Sequence, residues 1–398
     1  MIDYYKFFKN NFEKVSFGWL LTFLSSFGQT FLISLYVPEI VASLKITVGT
    51  FGAIFAICTI VASFIMLSVG HLVDHKSIKK VTFFTIIGLA LSGILLGFSY
   101  HIFFLFIALI GLRLTGQGLL SHISMTIISK YYDENRGKAL SISSLGYSMG
   151  EAFFPLIIAF TIGWFNWRVA AIASGVALLI YLLRLKYTNL IDFDKQLSSE
   201  GRPSTLSLLK DYKKVVFDKR FAVMMPASFA LSFVSTAIFF YQYVFVETKG
   251  WSLHLYATFF TVYAITRFLF SIFGGLWVDK YTAKKMFRYY LVPMNLGLIP
   301  FALMNSIMGA FMFLVMAGIT VGLSGTVKSS LIAEIYGTKN LGTIRSIFTM
   351  FMVISTALGP LFVGLLIDMG VDFSTIILFL MLFMALIVLN SQRIKSFY

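Results

Sequence analysis

Charge is what this sequence has least of. Only 12% of its residues are Asp, Glu, Lys or Arg, where a soluble domain carries about 25%. Acids are scarcer than bases, 17 against 32. So few charges, and clustered ones, exclude a water-soluble globule. Cysteine is almost missing: Cys58 stands alone inside an apolar run. That excludes a disulfide framework and a Cys-based metal centre. No Walker loop, dinucleotide fingerprint, zinc motif or nucleophile elbow stands in a sensible context. An enzyme, a resident cofactor and a bound metal are therefore not expected. The opening stretch, MIDYYKFFKNNFEKVSF, lacks a small-residue cleavage site before a short apolar core, so no removable signal peptide is expected.

Apolar runs are what is present. The chain is 58% hydrophobic and 17% aromatic. A helix of about 20 apolar residues crosses about 30 Å of hydrocarbon. On that scale the sequence reads as an all-α polytopic membrane protein with twelve spans: 17–38, 49–70, 81–99, 102–129, 139–163, 168–187, 219–246, 255–276, 287–304, 308–334, 345–368 and 374–391. The one long polar connection, 188–218, contains Ser198-Ser199-Glu200-Gly201-Arg202-Pro203-Ser204. It is read as a linker between six-helix halves, 1–187 and 219–398.

The bases sort by face. Of the 32 Lys and Arg, only Lys45, Arg168 and Lys249 fall on the face opposite the amino terminus, and only Arg113, Arg267 and Lys328 fall inside spans away from their ends. Lys and Arg mark cytoplasmic loops. Both termini and the linker are thus expected in the cytoplasm. Topology also explains the net charge of +15 without a nucleic-acid partner.

Two stretches repeat. Gly70-His-Leu-Val-Asp74-His-Lys-Ser-Ile-Lys79-Lys80 follows the second span, and Gly275-Leu-Trp-Val-Asp279-Lys-Tyr-Thr-Ala-Lys284-Lys285 follows the eighth. The offset is 205 for each Gly, Asp and Lys, and it also relates Pro155 to Pro360, Gly137 to Gly342 and Tyr131 to Tyr336. One half-molecule duplicated in tandem explains a constant offset.

Twelve spans in two six-helix pseudo-repeats, with this loop after spans 2 and 8, resemble the major facilitator superfamily of secondary transporters. Arg113-Leu-Thr-Gly-Gln117-Gly118, Arg136-Gly137-Lys138-Ala139 and Gly146-x3-Gly150-Glu151-x3-Pro155 extend the likeness. Phe27-Gly28-Gln29-Thr30 and Lys249-Gly250-Trp251-Ser252 look like a bacterial branch near the monocarboxylate and organic-anion transporters. The resemblance implies a cytoplasmic gate in which Asp74, Lys79, Lys80 and Arg136, with Asp279, Lys284 and Lys285, hold the halves together. It also implies a cavity lined by spans 1, 4, 7 and 10, where Gln29 and Gln242 lie, and a substrate carboxylate held by an Arg of span 8. Two departures stand out. The second Gly and the Arg of the family loop are replaced by Ser77 and Ile78, and by Thr282 and Ala283. Gly118 follows Arg113 by five residues where the family has four.

Charges inside spans cost roughly 2.5–3.5 kcal/mol each at mid-bilayer on insertion scales, so they are functional candidates. Arg113 and Arg267 sit roughly 16–18 Å into their helices at 1.5 Å per residue. Each is read as a substrate contact or as a structural arginine. Tyr263 is one turn from Arg267 and shares its face. Glu151 is read either as a proton-coupling site or as the ion-pair partner of Arg113. Lys328 either snorkels or meets substrate, and His122 is read as a packed polar residue. Three bases against one acid favour an anionic solute over a cation.

The expected function is therefore alternating-access transport of a small organic anion, with a proton as candidate co-substrate, by a monomer in a bacterial inner membrane. Two other readings are carried: an efflux transporter of drugs or lipophilic compounds, and a membrane receptor that binds without transporting.

Overall fold

The computed structural model describes residues 2–195 and 205–397. The stretch Ser198–Ser204 of the expected linker lies outside the described residues. Every regular element among those described is a helix. α1 is a bent pair, Phe12–Gly28 and Thr30–Leu44, kinked by 42°. Then come α2 (Val48–Gly70), α3 (Ile78–Gly97), α4 (Ile102–Tyr131), α5 (Arg136–Trp164) and α6 (Trp167–Tyr187). The second series is α7 (Lys219–Phe240), α8 (Leu253–Tyr281), α9 (Val292–Leu303), α10 (Met308–Tyr336), α11 (Leu341–Asp368) and α12 (Phe373–Ser391).

Among the described residues, ten helices are long and apolar enough to cross a membrane, or eleven with the bent α1 counted as one. α9 falls short. The span expected at 287–304 is split by a turn into Ala283–Phe287 and Val292–Leu303, and Pro293 opens the second piece. Proline fits a first turn because its missing N–H would have no partner there. α7 ends at Phe240, earlier than expected, and a short helix, Gln242–Thr248, follows.

Two hydrophobic cores form. One draws on residues from Val15 to Phe193, the other on residues from Tyr212 to Ile394. Outward-facing Phe84, Leu156, Phe160, Leu183, Leu386 and Leu389 are each at least 60% exposed. Helices apolar on all sides suit a lipid surround. The cores meet where α5 packs on α8 and α2 on α11, with α4 and α10 beside them. The repeat loops lie on one face of this seam, called here the loop face.

Local breaks position the polar residues. In α1 the chain tightens at Ser25–Gly28, and Gln29 turns extended (φ −80°, ψ 150°). Gly28 is required there: a Cβ would stand 2.6 Å from the Gln117 N and 2.7 Å from the Gly116 Cα. In α4 the helix widens to a π-helical segment over Arg113–Leu120. Such i→i+5 turns favour functional positions. The widening explains the odd five-residue spacing, since in a π turn residue i+5 stands where i+4 stands in an α-helix. Gly118 accordingly sits over the Arg113 carbonyl.

Candidate functional site

The repeated loops build a reciprocal latch. Asp74 receives the N–H groups of Gly342 (2.9 Å) and Thr343 (2.7 Å) and the Thr343 hydroxyl (3.1 Å). Asp279 receives the N–H groups of Gly137 (2.8 Å) and Lys138 (3.1 Å). Each acid caps the first turn of a helix in the other half, Asp74 on α11 and Asp279 on α5. Free N–H groups and the helix dipole make such a site favourable for a carboxylate. The offset of 205 carries one set of contacts onto the other. It also carries Gly70 to Gly275 and Ser141 to Ser346. Those glycines are packed so that a Cβ on Gly70 would meet the Ser346 Cβ at 2.5 Å, and one on Gly275 the Ser141 Cβ at 2.6 Å. A Cβ on Gly342 would stand 2.8 Å from both Asp74 oxygens.

The basic members of the expected gate are placed differently. Asp74 is paired with Lys130 at 2.5 Å, not with Arg136. Arg136 pairs with Asp133 (2.6 Å) and donates to the Ser129 carbonyl (3.0 Å). The reason is geometric: Arg136 opens α5, the helix whose start is capped by Asp279. Lys79 donates to the Lys186 and Thr188 carbonyls at the end of α6, within its own half. Lys80 and Lys285 are exposed, Lys285 lying over the Tyr281 ring, and Lys284 lies near Glu334. At the positions where the family arginine is missing, acids bind the backbone: Asp194 accepts the Ile78 N–H (2.8 Å) and Glu334 the Ala283 N–H (3.0 Å). Thr282, standing in for a family glycine, is held at φ +72°. The helix Thr205–Val216 joins the latch through Tyr212, whose hydroxyl donates to the Leu67 carbonyl (2.5 Å) and accepts from Ser346 (3.3 Å).

Deeper in the seam the arginines part company. Arg113 is fully buried. It donates to Thr59 (3.0 Å), the Gly28 carbonyl (3.1 Å), Thr30 (3.1 Å) and Thr356 (2.8 Å), and lies 4.8 Å from the Phe55 ring centre. Its partners are neutral oxygens from α1, α2 and α11. This explains the polar break in α1, where Arg113 binds the groups on either side of Gln29. Gln29 itself is half-buried.

Glu151 is not the partner of Arg113. It pairs with Arg267, whose Nη1 donates to Glu151 Oε2. Within its own half Arg267 meets no acid among the described residues, but α5 of the other half packs against α8 and supplies one. The side chains retain 11% and 25% exposure, so the pair is reachable where Arg113 is not. Tyr263 is buried beside the Arg267 guanidinium. Gln242 lies past the end of α7, and its Oε1 accepts from the Tyr256 hydroxyl at 3.4 Å. His122 is buried and its Nε2 meets the Gly70 carbonyl at 2.9 Å.

Arg345 escaped the sequence reading, which placed it among the loop cations. It is buried, one turn inside α11, with Nε and Nη1 unpartnered. The repeat offset could have found it, because it maps Arg345 onto Leu140, a residue inside span 5. Among the described residues, no group of three or more His, Cys, Asp and Glu is placed to hold a metal ion.

Two bundles of helices related by an internal repeat, latched at one face and holding charges at the seam, define a membrane transporter of the two-half type. The chain belongs to the major facilitator superfamily, whose family model matches residues 18–260 and 236–391. Solved structures agree on the fold. The proton:xylose symporter XylE is 14% identical with a TM-score of 0.71, covering 97% of this chain and 95% of its own. The human organic anion transporter MFSD10 (TETRAN) is 14% identical, TM-score 0.70, with 96% and 98% covered. FucP, solved in the outward conformation, is 15% identical, TM-score 0.70, with 96% and 98% covered. One curated relative, an uncharacterized 38 kDa protein from a 23S RNA operon of Thermoproteus tenax, is 32% identical over 124 residues. That match spans 31% of this chain and 29% of the relative.

Proposed function

We propose that this transporter carries a small organic anion by alternating access, and that Arg267 and Glu151 are the centre of its cycle. Supporting the reading is one observation above the rest: an ion pair between the halves, at the middle of α5 and α8, that stays partly accessible. An acid and a base on different halves can exchange partners when the halves rock. Protonation of Glu151 would free the Arg267 guanidinium, whose planar fork suits a carboxylate. A proton and an anion would then occupy the site together. Arg113, saturated by neutral acceptors, is assigned to holding the seam. Tyr263 supports Arg267, and Gln29 and Gln242 are placed as cavity residues of α1 and the segment after α7.

The surplus of Lys and Arg supports a cytoplasmic placement of the loop face, both termini and the linker; a monomer in a bacterial inner membrane is part of the same proposal. With both Asp latches engaged, the described state is closed to the cytoplasm. The test is direct binding of labelled carboxylates to purified protein. Arg267→Lys should weaken affinity and Arg267→Ala should abolish binding, with the Arg267→Ala/Glu151→Gln double variant, which leaves no stranded acid, as the control for folding. Wild-type affinity in Arg267→Ala would refute the anion reading.

A further inference from the structure

A third cation at the seam pairs with no acid among the described residues. Arg345 is 92% buried, at 8% exposure, and its Nε and Nη1 have no hydrogen-bond partner. Around it stand Tyr147 of α5, Lys328 of α10 and His122 of α4, while the nearby carboxylate, Asp74, is already taken by Lys130 and the start of α11. None of the first three is a carboxylate. Lys328 is half-buried and makes no ion pair among the described residues. Leaving a buried guanidinium with two donors unused is costly, because each buried unpaired group forfeits its hydration.

Position gives the cluster a use. Tyr147 stands one turn below Glu151 on α5, about 6 Å nearer the loop face at 1.5 Å per residue. Its hydroxyl feels both Arg345 and Arg267. Arg345 lies two residues after Thr343, whose N–H is capped by Asp74. Opening the latch would therefore uncover Arg345 before any deeper cation.

We propose that Arg345, with Tyr147 and Lys328, forms a second anion site on the loop-face side of the Arg267–Glu151 pair, filled when the loop face opens. Its ligand class is a small carboxylate: a guanidinium takes the two oxygens, a phenol and an ammonium take the remaining lone pairs. The site extends the proposed anion path and in that sense rests on it. The site would hold the anion between the loop-face solvent and mid-membrane, and Tyr147 would link the two stations.

The test uses the purified full chain and its melting temperature across a series of acetate, succinate, benzoate and inorganic phosphate. The wild type should show two saturable components of anion-dependent stabilisation. Arg345→Met should melt higher than wild type without anion, since it removes an unpaired buried charge, and should lose one component. Arg345→Lys should recover part of it, and Tyr147→Phe should weaken it several-fold. Asp74→Asn, which loosens the latch, should strengthen the same component. Arg267→Ala should lose only the other. If Arg345→Met keeps both components, the second site is refuted while the Arg267 reading stands. If Arg267→Ala keeps both and Arg345→Met loses one, the Arg267 reading fails and the second site stands. No response from the wild type to any of the four anions overturns both.

Discussion

The two latches are copies in backbone geometry and opposites in environment. Asp74 is fully buried, ion-paired to Lys130 and bonded three times to the start of α11. Asp279 meets the start of α5 through the equivalent two N–H groups but stands exposed. An acid at a helix start is worth about 0.3–1 kcal/mol when exposed, and more where it is shielded from solvent. The repeat therefore fixed where each carboxylate points, and burial decides what it is worth. On this comparison the α2–α11 side is the firm closure and the α5–α8 side the looser one, and the looser side is the one that carries Glu151 and Arg267.

The largest expected effect follows from breaking the buried copy. Asp74→Ala strands Lys130 in the interior, and removing one member of a buried pair costs about 3–5 kcal/mol. A fall in melting temperature with loss of uptake in proteoliposomes is expected; an unchanged melting temperature would contradict the comparison. Gly342→Ala comes next. Its new Cβ would press on both Asp74 oxygens, so uptake should drop several-fold while the helix content seen by circular dichroism is retained. Asp279→Asn is milder, about 1 kcal/mol or less, as for an exposed cap. If Asp279→Asn costs as much as Asp74→Ala, burial is not what separates the copies. One further effect has the opposite sign. Thr282 is β-branched and held at φ +72°, a conformation costing on the order of 1–3 kcal/mol for such a residue. Thr282→Gly should raise the melting temperature by a few degrees, and a decrease would show that the threonine makes contacts worth more than its strain.

The fold was legible because membrane helices announce themselves by apolar length, and because one offset repeats through Gly70, Asp74, Gly137 and Pro155. The site was legible only in its ingredients. Arg113, Glu151 and Arg267 stand out as charges in apolar runs, but a sequence does not say which helix faces which. Glu151 was expected beside Arg113 within the first half. Packing of α5 on α8 gives it to Arg267, and Arg113 finds Thr356 on α11 instead. The offset holds a trace of this exchange: Glu151 and Thr356 are equivalent positions, and each serves the arginine of the opposite half. Arg345 was hidden by a span boundary placed at that very residue. Asp194 and Glu334 could not be foreseen, because they reach the loop backbone from elements distant in sequence.

The most direct measurement compares two modes of transport in one variant. Glu151→Gln, reconstituted in proteoliposomes, is assayed for uptake of a labelled carboxylate driven by a pH gradient and for exchange of the same solute without one. Loss of gradient-driven uptake with exchange retained is the result expected if Glu151 carries the proton that frees Arg267. Gradient-driven uptake at the wild-type rate would contradict it.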